Sequence, residues 1–181
     1  MKKIIILLVF FFAGNLVFSQ KMMTRSGEIK FEASMPAFEE IAATNNTSSC
    51  ILDEETGNFA ALALIKAFKF KAPLMEEHFN ENYMESSTFP KANFKGKITN
   101  FDAKKLSSTK SSYDLEGDLT IHGVTKKIKT KLMLVFNGDK ITATSLISVK
   151  PQDYNIEIPN LVKGKIAENV KISMNFILVA N

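Results

Sequence analysis

Tryptophan is absent, cysteine occurs once, and arginine occurs once, as Arg25. Each shortage removes a class of explanation. With Cys50 alone, no disulfide can form within the chain, so burial rather than covalent staples must hold the fold. Its neighbours Ile51 and Leu52 mark it as a part-buried thiol. Because nearly all positive charge is lysine, the planar fork that grips phosphates and guanine edges is missing. The formal net charge is +4, and removing Lys2 and Lys3 leaves 4 − 2 = +2 on the remainder. That excess is too small to suggest nucleic acid as a partner. Histidine is limited to His78 and His122. Glu77, His78 and Glu81 invite a metal or acid–base reading, yet the spacing is not that of a His-Glu-x-x-His site. Neither a Gly-x-Ser-x-Gly elbow nor a glycine-rich phosphate loop is found. The expectation is a protein that is not an enzyme and holds no cofactor or metal. His122, at the end of a strand pattern, is expected to fix a connection by hydrogen bonding.

The start of the chain has the layout of a secretory signal. Met1-Lys2-Lys3 is a positive n-region, Ile4 to Phe12 is an unbroken apolar run, and Gly14-Asn15 interrupt it. Val17-Phe18-Ser19 offers small or neutral residues at the −3 and −1 positions of a cleavage site before Gln20. A membrane span needs roughly 20 apolar residues, which this run does not supply. The expectation is a cleaved signal at 1–19, an exported product (periplasmic or secreted), and one domain over 20–181.

Beyond the signal, period-two alternation dominates, the mark of half-buried strands. Ile29, Phe31, Ala33 and Met35 share one face; Phe68 and Phe70 alternate with lysines. Ala92, Phe94, Gly96 and Ile98 repeat the pattern, as do Leu115, Leu119 and Ile121. Further runs place Ile128, Leu132, Leu134 and Phe136 on one side, then Val170, Ile172, Met174 and Phe176. Asn137-Gly138-Asp139 is a hairpin signal, and His122-Gly123 reads as another connection. Asn45 to Ser49 and Ser107 to Ser112 read as polar loops, and Gly96 and Gly117 as bends or bulges. One segment changes period: Met75, Phe79 and Tyr83 recur every four residues after Pro73, predicting a short amphipathic helix laid on a barrel mouth or flank. The fold class is all-β with a short helix, an antiparallel meander curved on itself. Girdling aromatics for an outer-membrane barrel are lacking, and Lys95, Lys97, Lys127, Lys129 and Lys131 would be costly in hydrocarbon.

Three separated blocks add to this. Pro73-Leu74-Met75-Glu76-Glu77-His78-Phe79-Asn80-Glu81-Asn82-Tyr83-Met84-Glu85-Ser86, continued by Phe89-Pro90-Lys91-Ala92 and Phe94-Lys95-Gly96, is the first. Leu115 to Lys126, with its His122-Gly123-Val124-Thr125 core, is the second; Asp153-Tyr154-Asn155-Ile156 with Ile158-Pro159 is the third. Together, over roughly residues 24–180, the sequence resembles the YceI-like, polyisoprenoid-binding domain family. The resemblance implies a lipocalin-like antiparallel β-barrel of about eight strands with a helical element near one opening. It also implies an exported bacterial protein whose lumen holds a hydrophobic ligand, an isoprenoid or fatty acyl chain. Residues 39–58 carry no motif of that family.

An apolar tail entering such a lumen gains about 0.8 kcal/mol per buried CH₂, and a wall of Phe and Met suits it. The candidate ligand-binding residues are Phe31, Phe68, Phe70, Phe94, Ile98, Leu115, Leu119, Leu132, Leu134 and Phe136, with Met75 and Phe79 at the mouth. Alternation alone is equally satisfied by the same residues filling a solid core, as in a structural or protein-interaction barrel of the cell envelope. Lys126 to Lys131 is either a solvated strand face or a point of transient contact with a membrane surface.

Overall fold

The computed structural model describes residues 21–36 and 38–181; the signal expected at 1–19 lies outside the described residues. The described residues form nine strands, of which β2 and β8 are not marked by period-two alternation: β1 Lys21–Ser34, β2 Ala42–Asp53, β3 Asn58–Leu64, β4 Lys69–Phe70, β5 Lys91–Ile98, β6 Ser111–Ile121, β7 Val124–Asn137, β8 Lys140–Val149 and β9 Ile166–Ala180. They hydrogen-bond in the order β1-β9-β8-β7-β6-β5-β3-β2-β4. A further antiparallel ladder between β1 and β2 joins the two sides of this sheet. The result is a closed antiparallel barrel of eight strands, with the two-residue β4 added beside the start of β2 through Ala43–Phe70 and Thr44–Lys69 pairing. Closure satisfies the backbone groups that an open sheet would leave along its edges.

Two tight hairpins set the register of one side. Asn137 pairs with Lys140 across Gly138-Asp139, and Ile121 pairs with Val124 across His122-Gly123. His122 (φ 48°) and Gly123 (φ 74°) both adopt left-handed backbone, the pattern of a two-residue turn matched to strand twist. At Gly123 a side chain is also excluded by contact, since a Cβ there would lie 2.6 Å from the ring of Phe89.

Sequence and structure part at several places. Gly96 and Gly117 are direct partners in an unbroken β5–β6 ladder, so neither marks a bulge. A Cβ on Gly96 would stand 2.4 Å from the Glu116 carbonyl oxygen and 2.5 Å from Cζ of Phe94; the pair is bare because the Phe94 ring lies across it. The bulges fall instead in β1, around Gly27. The polar stretch Asn45–Ser49 is not a loop but the middle of β2. Asn45 is fully buried; its Nδ2 donates to the Leu64 carbonyl (3.0 Å) and its Oδ1 accepts from the Thr47 amide (2.8 Å). These bonds replace the ladder where β3 turns away from β2, so a polar side chain is retained inside a strand.

The helical segment is also more complex than its spacing predicts. An α-helix, α1, covers Pro73–His78 and continues as a π-helical turn over Phe79–Tyr83, closed by Met84 N–H donating to the Phe79 carbonyl at 2.8 Å. Wider π turns are uncommon and cluster at functional sites. No helix among the described residues is long and apolar enough to cross a membrane.

The lysine run after the second hairpin is a solvated strand face. Lys129 and Lys131 meet their cross-strand partners Glu116 (2.5 Å) and Asp114 (2.7 Å), and Lys126 meets Asp153 (3.3 Å).

Candidate ligand cavity

The inward residues of the barrel divide into two halves. At one end Leu52, Phe59, Ile98, Leu132, Leu134, Ile141, Phe176 and Leu178 are at most 1% exposed and form one contiguous core. Phe59 is its centre, with ring centroids 6.3 Å from Phe94 and 6.4 Å from Phe176. At the other end the inward side chains of the same strands leave the centre open, and a cavity of about 460 Å³ lies between them. Its walls include Ile29, Phe31 and Ala33 of β1, Ala61 and Ala63 of β3, Ala92 and Phe94 of β5, Ile128 of β7, Ile147 and Val149 of β8, and Ile172 and Met174 of β9. Leu115, fully buried, belongs to both halves and lies at the floor. This volume is within the usual range of ligand sites, roughly 300–1,000 Å³.

Eight of the twelve residues expected to bind ligand line this cavity: Phe31, Phe68, Phe70, Met75, Phe79, Phe94, Leu115 and Leu119. The remaining four, Ile98, Leu132, Leu134 and Phe136, do not. They face inward as alternation requires, but toward the packed end, where Ile98, Leu132 and Leu134 are sealed and Phe136 leans on that core. Alternation reports which face of a strand is inside; it carries no information about height along the barrel axis.

Other wall residues escaped the sequence reading. Ile156, Ile158 and Val162 line the cavity from the connection between β8 and β9, a segment without strand periodicity. Tyr154, 3% exposed, joins them from a 3-10 turn, and burial pushes its phenol above the ordinary tyrosine range. Ile156 and Ile158 lie within the third block noted above, the one signal that pointed to this loop.

Polar groups inside the cavity are few: Asn93, Tyr83 and Tyr154 contribute to the lining, and the hydroxyls of Thr130 and Ser145 are already engaged. Ser145 Oγ donates to the Lys131 carbonyl (2.7 Å), and Thr130 Oγ1 lies 3.2 Å from Ser145 Oγ. Lining residues at the lip are the charged Glu39 and Lys165 and the polar ring of His78, all exposed and all on segments that border the opening. The chemistry of the site is therefore apolar in depth and polar at its lip.

The helical segment lies over the opening as a lid. Met75, Phe79 and Tyr83 all line the cavity from it. Phe79 completes a four-ring cluster with Phe31, Phe68 and Phe70; its centroid is 5.1 Å from Phe31, 5.9 Å from Phe68 and 5.1 Å from Phe70. Two polar anchors fasten the lid. Near its start, Glu76 accepts from Lys69 Nζ (2.6 Å) and from the Phe70 backbone N–H (3.2 Å); the Lys69 bond holds the Glu76 carboxyl below its usual range. Beyond its end, Glu85 turns the chain with left-handed backbone (φ 42°) and places its carboxylate 2.7 Å from His122 Nε2. The other ring nitrogen, Nδ1, donates to the Tyr154 carbonyl at 3.1 Å, and Phe89 packs edge-on at 4.3 Å. His122 thus ties one hairpin, the lid and the β8–β9 connection together.

The structure is a lidded antiparallel barrel, packed at one end and hollow at the other. The YceI-like domain model matches residues 13–178, and the chain belongs to that family. Solved structures carry the same fold at low identity. A polyisoprenoid-binding domain from Saccharophagus degradans, implicated in plant cell wall breakdown, superposes with TM-score 0.75 at 15% identity, covering 90% of this chain and 99% of that one. BcnA of Burkholderia cenocepacia gives 0.68 at 14% identity, covering 84% and 96%. A YceI protein of Campylobacter jejuni gives 0.55 at 14%, covering 75% and 80%. No curated protein matches the sequence.

Proposed function

We propose that this protein binds a hydrophobic lipid-like molecule, an isoprenoid or fatty acyl chain, in the open half of its barrel, as an exported carrier without catalytic activity. The observation that carries the reading is the cavity: about 460 Å³, walled mostly by Phe, Ile, Leu, Val, Met and Ala, with the hydroxyls of Thr130 and Ser145 already hydrogen-bonded. A polar guest would lose its water there and find few partners, whereas each buried CH₂ of an apolar guest contributes about 0.8 kcal/mol. One solved relative in fold is described as polyisoprenoid-binding, which supports the same ligand class. Export is supported by the charged and apolar start of the sequence, Met1 to Ser19.

Size narrows the guest. A water-sized group takes about 30 Å³, so the cavity of about 460 Å³ holds on the order of 15 such groups. A fatty acyl or short isoprenoid tail is contained whole; a long polyisoprenoid threads its far units through the mouth. A polar head rests at the lip beside Glu39, His78 and Lys165.

The test is organic extraction of protein purified from its native compartment, followed by mass spectrometry. About one co-purifying lipid per chain supports the carrier reading. A folded protein that is empty, and that also rejects isoprenoid quinones and fatty acids in titration, overturns it.

A further inference from the structure

Large apolar side chains at the mouth stand in solvent without cover. Leu161 is 92% exposed, Leu74 61%, Phe38 51% and Met35 36%. They come from three separate segments, and each lies within two residues of a cavity-lining residue: Met35 near Ala33, Phe38 beside Glu39, Leu74 beside Met75, Leu161 beside Val162. The three segments are neighbours in space. Ser34 at the end of β1 pairs with Ile166 at the start of β9, which sets the loop carrying Met35 and Phe38 against the loop carrying Leu161. Lys71 bridges to Glu40, which ties that same loop to the segment leading into Leu74. The exposed apolar residues therefore crown the opening on adjoining arcs.

Charge on this rim is divided by segment: the exposed acids Glu39, Glu77 and Glu81 lie on the β1–β2 loop and the lid, not on the loop that bears Leu161 and its lysines. Lys69 and Lys71 are matched by Glu76 and Glu40. In the loop bearing Leu161, Lys163 and Lys165 form no ion pair among the described residues, and the next acid, Glu168, already meets Lys150 at 2.9 Å. The loop Pro159-Asn160-Leu161-Val162-Lys163-Gly164-Lys165-Ile166 is thus apolar at its tip and cationic beside it. Side chains of this kind suit a bilayer boundary, where apolar groups enter the acyl region and lysines remain at anionic headgroups.

We propose that the mouth rim docks on a lipid bilayer containing anionic headgroups, with Leu161, Leu74, Phe38 and Met35 inserted and Lys163 and Lys165 at the phosphates. Docked this way, the opening faces the acyl layer, and cargo crosses between membrane and cavity without exposing its chain to water. This rim surrounds the cavity mouth and, of the residues named for docking, shares only Lys165 with the cavity lining. It draws its purpose from the carrier reading, and its test uses no cargo, so the two readings fail separately.

Buried Cys50 leaves an introduced exposed cysteine as the reactive thiol. Full-length L161C and, as control, V179C on the outer face of the packed end are labelled with an NBD fluorophore. Both are mixed with vesicles of phosphatidylethanolamine and phosphatidylglycerol. The proposal expects a blue shift and a several-fold gain in NBD emission at position 161 and none at 179. K163Q/K165Q in the L161C background is expected to weaken vesicle binding on the order of 25-fold, from about fivefold per lysine near an anionic surface. No response at 161, or an equal response at 179, overturns the proposal. So does a concentration-dependent shift at 161 without vesicles, which assigns the rim to a second copy of the chain. An unchanged response in K163Q/K165Q overturns the electrostatic arm.

Discussion

The ring of Phe79, in the lid, lies nearly parallel to that of Phe31 in the barrel wall, with 5.1 Å between centroids and 19° between planes. This stack is the apolar half of the lid's attachment, and it stands at the cavity wall. Aromatic pairs contribute about 0.5–1.5 kcal/mol beyond their burial. F79A is expected to lower stability by about 1–2 kcal/mol, and an F31A/F79A double-mutant cycle in urea is expected to give a coupling near 1 kcal/mol. If ligand passes beneath this lid, F79A also speeds ligand release in stopped-flow displacement. A coupling near zero would show that the two rings share a space without sharing energy.

The two halves of the barrel are expected to respond oppositely to volume changes. L134A removes a fully buried side chain from the packed end and is expected to cost about 2–5 kcal/mol, with little change in lipid bound per folded chain. A92W and I128W add bulk to the cavity wall, where the usual overpacking cost of about 1–3 kcal/mol is relieved by open space. They are expected to hold their denaturation midpoints and lose lipid. Denaturation curves and extraction from the same preparations check both arms.

For most strands identity and inward face were legible because alternation follows directly from the pleat, though β2 and β8 were not, and the lid was legible because Met75, Phe79 and Tyr83 break that period. Height along the barrel was not. Leu134 and Ile128 belong to one strand and one face, yet the first is sealed in the core and the second lines the cavity. What separates them is the closure of the sheet and the Phe59–Phe176 packing across it, a relationship between residues more than a hundred positions apart. The polar strand residue Asn45 was hidden for a similar reason: its partner is the Leu64 carbonyl, and composition alone reads Asn-Asn-Thr-Ser-Ser as a loop.

Glu76 gives the lid a pH-dependent anchor. Its hydrogen bond from Lys69, helped by the Phe70 amide and opposed by burial, holds its carboxyl below the ordinary value of 4.5. A depressed folded value means the stabilisation is complete above about 4.5 and disappears as pH falls through the folded value. Because Lys69 is largely exposed, the effect is small, below about 1 kcal/mol. E76Q is expected to flatten the fall in stability below pH 4.5, measured by urea midpoints across that range in low salt. Equal slopes for wild type and E76Q would remove Glu76 as an anchor.

Cys50 is expected to be inert in the native state. It is 1% exposed on β2, and burial pushes its thiol well above the ordinary range, so little thiolate exists to react. A thiol-specific chromogenic reagent at pH 8 is expected to leave the folded protein unmodified over minutes and to titrate one thiol in denaturant. Rapid native modification would place Cys50 in a segment that opens locally.

His122 combines a backbone role and a side-chain role, and substitutions can separate them. Its left-handed conformation (φ 48°) is one that Asn tolerates and Ala resists, at about 1–2 kcal/mol per residue. Its ring bonds to the Tyr154 carbonyl and the Glu85 carboxylate contribute about 0.5–1.5 kcal/mol each. H122A loses all of this and is expected to destabilise by about 2–4 kcal/mol. H122N keeps the turn and is expected to recover the backbone share, while leaving the lid end loose. Hydrogen exchange distinguishes the two: in H122N the amides of Met84, Ser86 and Phe89, which close the lid's final turns, are expected to exchange faster while those of the β6–β7 ladder keep their protection. Unchanged exchange at those three amides would mean that His122 serves the hairpin alone and that the lid is held by its aromatic ring cluster.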